Sequence, residues 1–192
     1  TELHYDSPFH LLIAVILSAQ CTDERVNKVT ASLFKIANTP QKMLDLGADE
    51  LEKHIYSCGL YKSKAKNIIS ASSDILQKFG GEVPNTLEDL RTLAGVGRKT
   101  ANVVFSVGFK GDAIAVDTHV ERISKRLDFA KKDDTVLEVE ERLMKLIPEE
   151  RWSKTHHSLI FHGRQCCDAR KPKCEECSIS QWCEEYKKRV DK

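Results

Sequence analysis

At 192 residues, with 41% hydrophobic and 31% charged side chains, the chain has the balance of a soluble globular protein and the length of one ordinary domain or two small ones. Its formal net charge of +1 carries no global basic signature, so any nucleic-acid face has to come from local clustering. The longest apolar run, Leu11 to Leu17, is far too short to span a bilayer, and Thr1-Glu2-Leu3-His4-Tyr5-Asp6 before it lacks a signal peptide's basic leader. A cytoplasmic location is expected. Because the first residue is Thr1 rather than Met, an N-terminal piece is expected to be missing.

Taken in order, Pro8 to Ala19 is apolar on nearly every face, which predicts a central buried helix ended by Ser18-Ala19-Gln20-Cys21-Thr22-Asp23. Val26, Val29 and Leu33 repeat at helical spacing, Asn38-Thr39-Pro40 breaks the chain, and Leu51 with Ile55 marks a short helix closed by Gly59. Ala65, Ile68, Ile69, Leu76 and Phe79 describe a longer helix that stops at Gly80-Gly81. Thr86-Leu87-Glu88-Asp89 reads as a capping box for a helix running to Leu93, and Ala101 to Val107 is a second apolar-periodic stretch. Beyond a break at Gly108-Phe109-Lys110-Gly111, Thr118-His119-Val120-Glu121 has the capping-box pattern, with Val120, Ile123 and Leu127 behind it. Thr135-Val136-Leu137-Glu138 opens another helix, and Trp152 to Gly163 fits one more. Only Ala113-Ile114-Ala115-Val116 is ambiguous between helix and strand, so the fold class is all-α. The best boundary lies near Gly111, which gives a helical unit 1–111 and a second unit 112–192 that ends in the cysteine segment.

Two stretches carry chemistry. Leu93-Ala94-Gly95-Val96-Gly97-Arg98-Lys99-Thr100-Ala101 is a glycine turn between two helices. Glycines 95 and 97 allow positive φ and leave the backbone N–H groups uncovered, and the following helix adds its own unpaired N–H groups and dipole. That is an anion site, with Lys99 in the first turn beside it. The GxxxxGK[ST] spacing of a nucleotide P-loop is missing, and a plain helix–helix connection is the bland alternative.

The second stretch is the cysteine segment. Of seven cysteines, Cys167, Cys174, Cys177 and Cys183 fall in one short loop whose intervening Asp168-Ala169-Arg170-Lys171-Pro172-Lys173 cannot build an apolar core. An odd count in a reducing compartment argues for a metal or cluster over disulfides, and four thiolates suit zinc or an iron–sulfur cube. Cys21, Cys58 and Cys166 read as ordinary packed thiols, and His156 and His157 as structural.

The words Gly95-Val96-Gly97-Arg98-Lys99-Thr100-Ala101 resemble the helix-hairpin-helix of base-excision DNA glycosylases. With Ser18-Ala19-Gln20, Gly59-Leu60-Tyr61, Val116-Asp117-Thr118-His119, His162-Gly163-Arg164 and the cysteine spacing, nearly the whole chain is similar to the endonuclease III family. The resemblance implies two helical lobes with duplex DNA bound in the cleft between them, an N-terminal helix that this chain begins after, and a [4Fe-4S] cluster on Cys167, Cys174, Cys177 and Cys183. It also implies removal of oxidised pyrimidines and nicking of abasic sites by a monomeric enzyme of the bacterial cytosol.

In that reading Lys99 is the nucleophile and Asp117 the carboxylate that stabilises charge on the sugar; Asp117 is also well placed to cap a helix. A lysine amine is nucleophilic only when neutral. A helix N-terminus supplies only about 0.3–1 kcal/mol, so burial of Lys99 in a pocket is expected to do most of the rest. Gly95, Val96 and Gly97 hold a phosphate, Gln20 and Leu60 fill the gap left by a flipped nucleotide, His119 contacts DNA, and Arg170, Lys171 and Lys173 form a phosphate patch. Ala94 departs from the family's usual proline and makes the turn less preorganised by less than about 1 kcal/mol. The competing readings are a non-catalytic DNA-binding module with a structural metal, and an adenine-mismatch glycosylase relative.

Overall fold

A computed structural model describes residues 2–190; Thr1, on which the missing-piece expectation rested, lies outside the described residues. The described residues form α-helices joined by tight turns, with no strand, and the chain divides into two units, Thr1–Phe109 and Lys110–Lys192. No helix among them is long and apolar enough to cross a membrane.

The first unit is built round α1 (Pro8–Ser18), which is buried from Phe9 through Leu17 without a break. Ser7 Oγ accepts the His10 N–H at 3.1 Å and Pro8 starts the helix, so its entry is fixed locally. Around it pack α2 (Asp23–Leu33), α5 (Tyr61–Phe79), α7 (Arg98–Val103) and the π-helical turn Val104–Gly108. The helices α3 (Pro40–Leu46) and α4 (Ala48–Ile55) lie against α5, and α6 (Leu87–Thr92) pairs with α7. The same polar device recurs at helix starts. Thr22, Thr39 and Thr86 each accept an N–H from the residue three places on, at 3.3, 3.2 and 3.1 Å. At the other end of α5, Gly80 takes φ 63° and the Gly81 N–H reaches back to the Ile75 carbonyl at 2.9 Å.

The second unit has its own core of Ile114, Val116, Val120, Ile123, Ala130, Val139, Leu143 and Leu159. It contains α8 (Thr118–Arg126), α9 (Val136–Leu146), α10 (Trp152–Gln165) and α11 (Glu184–Val190). A full capping box, Thr135 with Glu138, opens α9 as the spacing predicts. The pattern at Thr118 is different: α8 is capped by Asp117, and the Glu121 carboxylate turns instead to Lys125 at 2.7 Å. The ambiguous Ala113–Val116 stretch is neither helix nor strand but a buried connector into α8. Helix α10 packs on α8 with Gly163 at the crossing, where a Cβ would stand 2.9 Å from Ile123 Cδ1.

Because α1 is enclosed on every side, truncating Leu12 leaves a cavity that no surface side chain can fill. Leu12→Ala should lower unfolding stability by about 2–5 kcal/mol, read as a fall in the urea midpoint at unchanged slope.

Candidate functional site

The glycine turn is held from beneath. Leu93 and Val96 are buried, the Leu93 N–H closes onto Leu90 at 3.2 Å, and the Val96 N–H onto Leu93 at 3.1 Å. The Val96 amide is therefore committed to the turn, and Gly95 and Gly97 form its exposed rim. Gly95 takes φ 77°, and a Cβ there would fall 2.9 Å from Asn67 Cβ, so no other residue fits. Gly97 departs from the expectation. Its φ is −80°, an ordinary extended value, and its use is the open space where a side chain would stand. No side chain caps the start of α7, whose first N–H groups follow directly on this bare rim.

Lys99 is the second residue of α7 and is exposed. The expected burial in a pocket is absent, because the short helix presents its first turn outward while Ala101 and Asn102 face the core. Arg91 Nη2, at 3.5 Å from Asn102 Oδ1, links the two hairpin helices on the inner side.

Gln20 and Leu60 share an uncommon conformation: both are non-glycine residues in the left-handed region, at φ 54° and 58°, and both are exposed. Their loops lie back to back, since a Cβ on Gly59 would stand 3.3 Å from the Gln20 carbonyl oxygen. Beneath them Lys64, only 4% exposed, donates its Nζ protons to the Leu17 and Ala19 carbonyls at 2.8 and 2.6 Å. Burial pulls Lys64 below its usual range, and the Cys58 and Cys21 thiols oppose that shift. The sequence reading missed Lys64. The signal was present, because Lys64 falls on the apolar face of α5 with Ala65 and Ile68.

In the second unit, Asp117 is half-buried and its Oδ1 accepts both the His119 N–H at 2.9 Å and the Val120 N–H at 2.8 Å. Both capping bonds fall on one oxygen. His119 turns inward, with Nδ1 3.1 Å from Arg122 Nη2 and 2.8 Å from where a Gly163 Cβ would be, so that side of its ring faces protein. His156, 3% exposed, hydrogen bonds to the Ala115 carbonyl and so ties α10 to the connector leading into Asp117. Burial, helped by neighbouring His157 and opposed by Asp117, pushes His156 from 6.5 down to about 4.

The five C-terminal cysteines line a single cavity, together with His162 and Arg126. All are free thiols and half-buried. Burial and the neighbouring Cys177 thiol push Cys166 up to about 11, and burial raises Cys174. The loop backbone is held by two arginines of α8. Arg122 donates to the carbonyls of Gly163 and Cys167 at 3.1 and 3.0 Å, and Arg126 to those of Asp168 and Ala169 at 2.8 and 2.9 Å. Arg126 Nη1 also lies 3.1 Å from Cys167 Sγ. Convergent thiols with a guanidinium against one sulfur suit an anionic metal–thiolate group, and Cys167, Cys174, Cys177 and Cys183 have the spacing to hold it. The structure also brings in Cys166, whose sulfur lies with Cys177 Sγ and a His162 nitrogen, all within 4.8 Å of one another. Arg170, Lys171 and Lys173 are exposed around this loop, and Lys173 Nζ donates to the Gln165 carbonyl at 3.2 Å.

Residues 13–149 match the HhH-GPD superfamily of base excision DNA repair proteins, and residues 167–183 match the iron–sulfur binding domain of endonuclease III. The chain is 55% identical to endonuclease III of Haemophilus influenzae, over all of this chain and 90% of that protein. It is 53% identical to endonuclease III of Bacillus subtilis, over all of this chain and 87% of that one. The chain belongs to the endonuclease III family. A trapped covalent endonuclease III–DNA intermediate superposes with a TM-score of 0.93 at 55% identity, covering 99% of this chain and 89% of that one. A thermostable thymine-DNA glycosylase does so with a TM-score of 0.87 at 26% identity, over 96% and 87% of the two chains. The family's iron–sulfur cluster therefore belongs to this chain as well.

Arg122 and Arg126 escaped the sequence reading although they lie four residues apart on one face of α8, a spacing that marks a shared partner. For His156 the sign of the pH effect is fixed. The unfolded chain binds a proton near pH 6.5 and the folded chain only near 4, so stability is full above 6.5 and falls as pH drops towards 4. About 2 kcal/mol should be lost between pH 7 and pH 5 from this group. In urea titrations His156→Gln should lack that component; an equal pH slope in the variant would exclude it.

Proposed function

We propose that the chain is a DNA glycosylase and abasic-site lyase that removes oxidised pyrimidines from duplex DNA by way of a Schiff base on Lys99. Full-length likeness to endonuclease III supports the reading, and the observation that carries it is an exposed lysine in the first turn behind an uncapped, side-chain-free glycine rim. A base inside a duplex is out of reach, so the nucleotide is extruded. The Gly95 and Gly97 amides and the start of α7 hold a backbone phosphate, which brings Lys99 to the sugar. The Lys99 amine attacks C1′ and the base departs. The resulting imine makes the C2′ proton acidic, and its loss expels the 3′ phosphate by β-elimination. The Asp117 carboxylate stabilises positive charge on the sugar as the base leaves and accepts protons as the imine forms.

Gln20 faces the orphaned base and Leu60, 61% exposed, wedges the stack. The exposure of Lys99 gives the duplex a task, since closure of DNA over the amine removes the water that the free protein leaves there. The iron–sulfur cluster, of the [4Fe-4S] type, is held by Cys167, Cys174, Cys177 and Cys183 and supplies order to a loop that lacks an apolar core. Arg170, Lys171 and Lys173 on that loop contact phosphates. The enzyme acts as a monomer in the bacterial cytosol.

Lys99→Ala should bind an abasic-site duplex with little change yet give no covalent complex on borohydride reduction, whereas the unaltered protein traps; absence of trapping in both would leave a DNA-binding module. Asn caps helices about as well as Asp, so Asp117→Asn removes charge while keeping the cap. It should lower excision by about two to three orders of magnitude with an unchanged thermal midpoint. A stability loss matching the activity loss would reduce Asp117 to a capping residue.

A further inference from the structure

Cys21 and Cys58 are far apart in sequence and take no part in the chemistry above, yet the fold sets them at the bases of two touching loops. The Cys21 N–H closes a turn onto Ser18 at 3.1 Å and the Cys58 N–H a turn onto Ile55 at 2.8 Å, so both backbones are anchored. Their sequence neighbours meet: a Cβ on Gly59 would be 3.3 Å from the Gln20 carbonyl oxygen. Cys58 is fully buried and Cys21 half-buried, packed against the same core. Burial and then the neighbouring Cys21 thiol push Cys58 up to about 11, in keeping with the contact between the two loops.

The Lys64 ammonium is the second observation. It is nearly inaccessible, its two hydrogen bonds go to neutral carbonyls, and no carboxylate pairs with it among the described residues. A buried cation without an anion is costly, and its Ala19 partner lies two residues from Cys21, so a negative charge that forms on that sulfur during reaction falls beside it.

We propose that Cys21 and Cys58 are a thiol pair that hydrogen peroxide converts to a disulfide, with Cys21 as the accessible sulfur and Lys64 stabilising its thiolate. The Cys21 thiolate attacks one peroxide oxygen, the O–O bond breaks, and hydroxide leaves behind a sulfenic acid. The Cys58 sulfur then attacks the Cys21 sulfur, forming the S–S bond and displacing a second hydroxide. With the two thiol protons the sum is two thiols and one peroxide to one disulfide and two waters; sulfur is oxidised and peroxide reduced. The product fastens the Gln20 loop to the Leu60 loop. Only its consequence for DNA rests on the proposed function; its formation does not.

The test treats the cluster-loaded chain with a small excess of hydrogen peroxide, follows the cluster's visible absorption, and maps tryptic peptides without reduction. The peptide ending at Arg25 should be found joined to peptide 54–62, separable by dithiothreitol, while the cluster absorption persists. Cys21 recovered as an unlinked sulfenic or sulfinic acid, or bleaching of the cluster with neither peptide altered, overturns the pair. Lys64→Gln should slow the linkage several-fold, and an unchanged rate removes Lys64 from the proposal. Should that variant not fold, the peptide map of the unaltered chain still decides whether the pair forms.

Discussion

Helices of six to eleven residues do not persist alone in water, and nine of the eleven α-helices among the described residues are of that length. Each end leaves backbone groups without partners, so the structure depends on how those ends are closed. Ser7, Thr22, Thr39, Thr86, Asp117 and Thr135 close six helix starts with a side-chain oxygen. The start of α7, like that of α4 at Gly47, has no side-chain cap and open space beside its glycine. At α7 that opening adjoins the exposed rim of Gly95 and Gly97 and the exposed Lys99.

The same economy makes Asp117 serve two ends. As a cap it fixes α8 through one oxygen, and that fixation keeps its carboxylate from swinging as a free surface acid would. Farther along α8, Arg122 and Arg126 grip the carbonyls of the cysteine loop. One helix thus carries the carboxylate at its start and the loop's anchor at its end. His156 secures the connector ahead of it by staying neutral and buried. In the first unit Lys64 does the corresponding work, holding the Leu17 and Ala19 carbonyls so that the Gln20 loop begins from a rigid base.

What the sequence made legible follows from what local patterns encode. The unbroken apolar run of α1, the Gly80-Gly81 stop and the Thr135–Glu138 box are local signals and appear as read. Helix α3 escaped because it has only seven residues and buries only Pro40 and Met43, too few for a period. Two caps for α8 were legible, the Thr118 box and Asp117, and the buried connector before them decides for Asp117 at the helix entry. Positive φ at Gly95 was readable from glycine chemistry, but the extended Gly97 was not, since an empty space leaves no mark in a sequence. That the C-terminal cysteines share one cavity was legible from their crowding, whereas the approach of Cys166 to His162 depends on how the loop folds back.

Exposure of Lys99 is the feature no pattern could have foretold, and it bears on how reactivity is controlled. A lysine desolvated by its own protein would meet any small electrophile that entered the pocket. An exposed lysine keeps its hydration until something large covers it, and the rim of Gly95 and Gly97 beside it suits a phosphate of that larger object. In the proposed mechanism that hydration becomes a safeguard: the amine is held in position by α7, while the change in its surroundings arrives with the duplex. On that proposal, positioning is built into the free chain and activation is deferred to the complex.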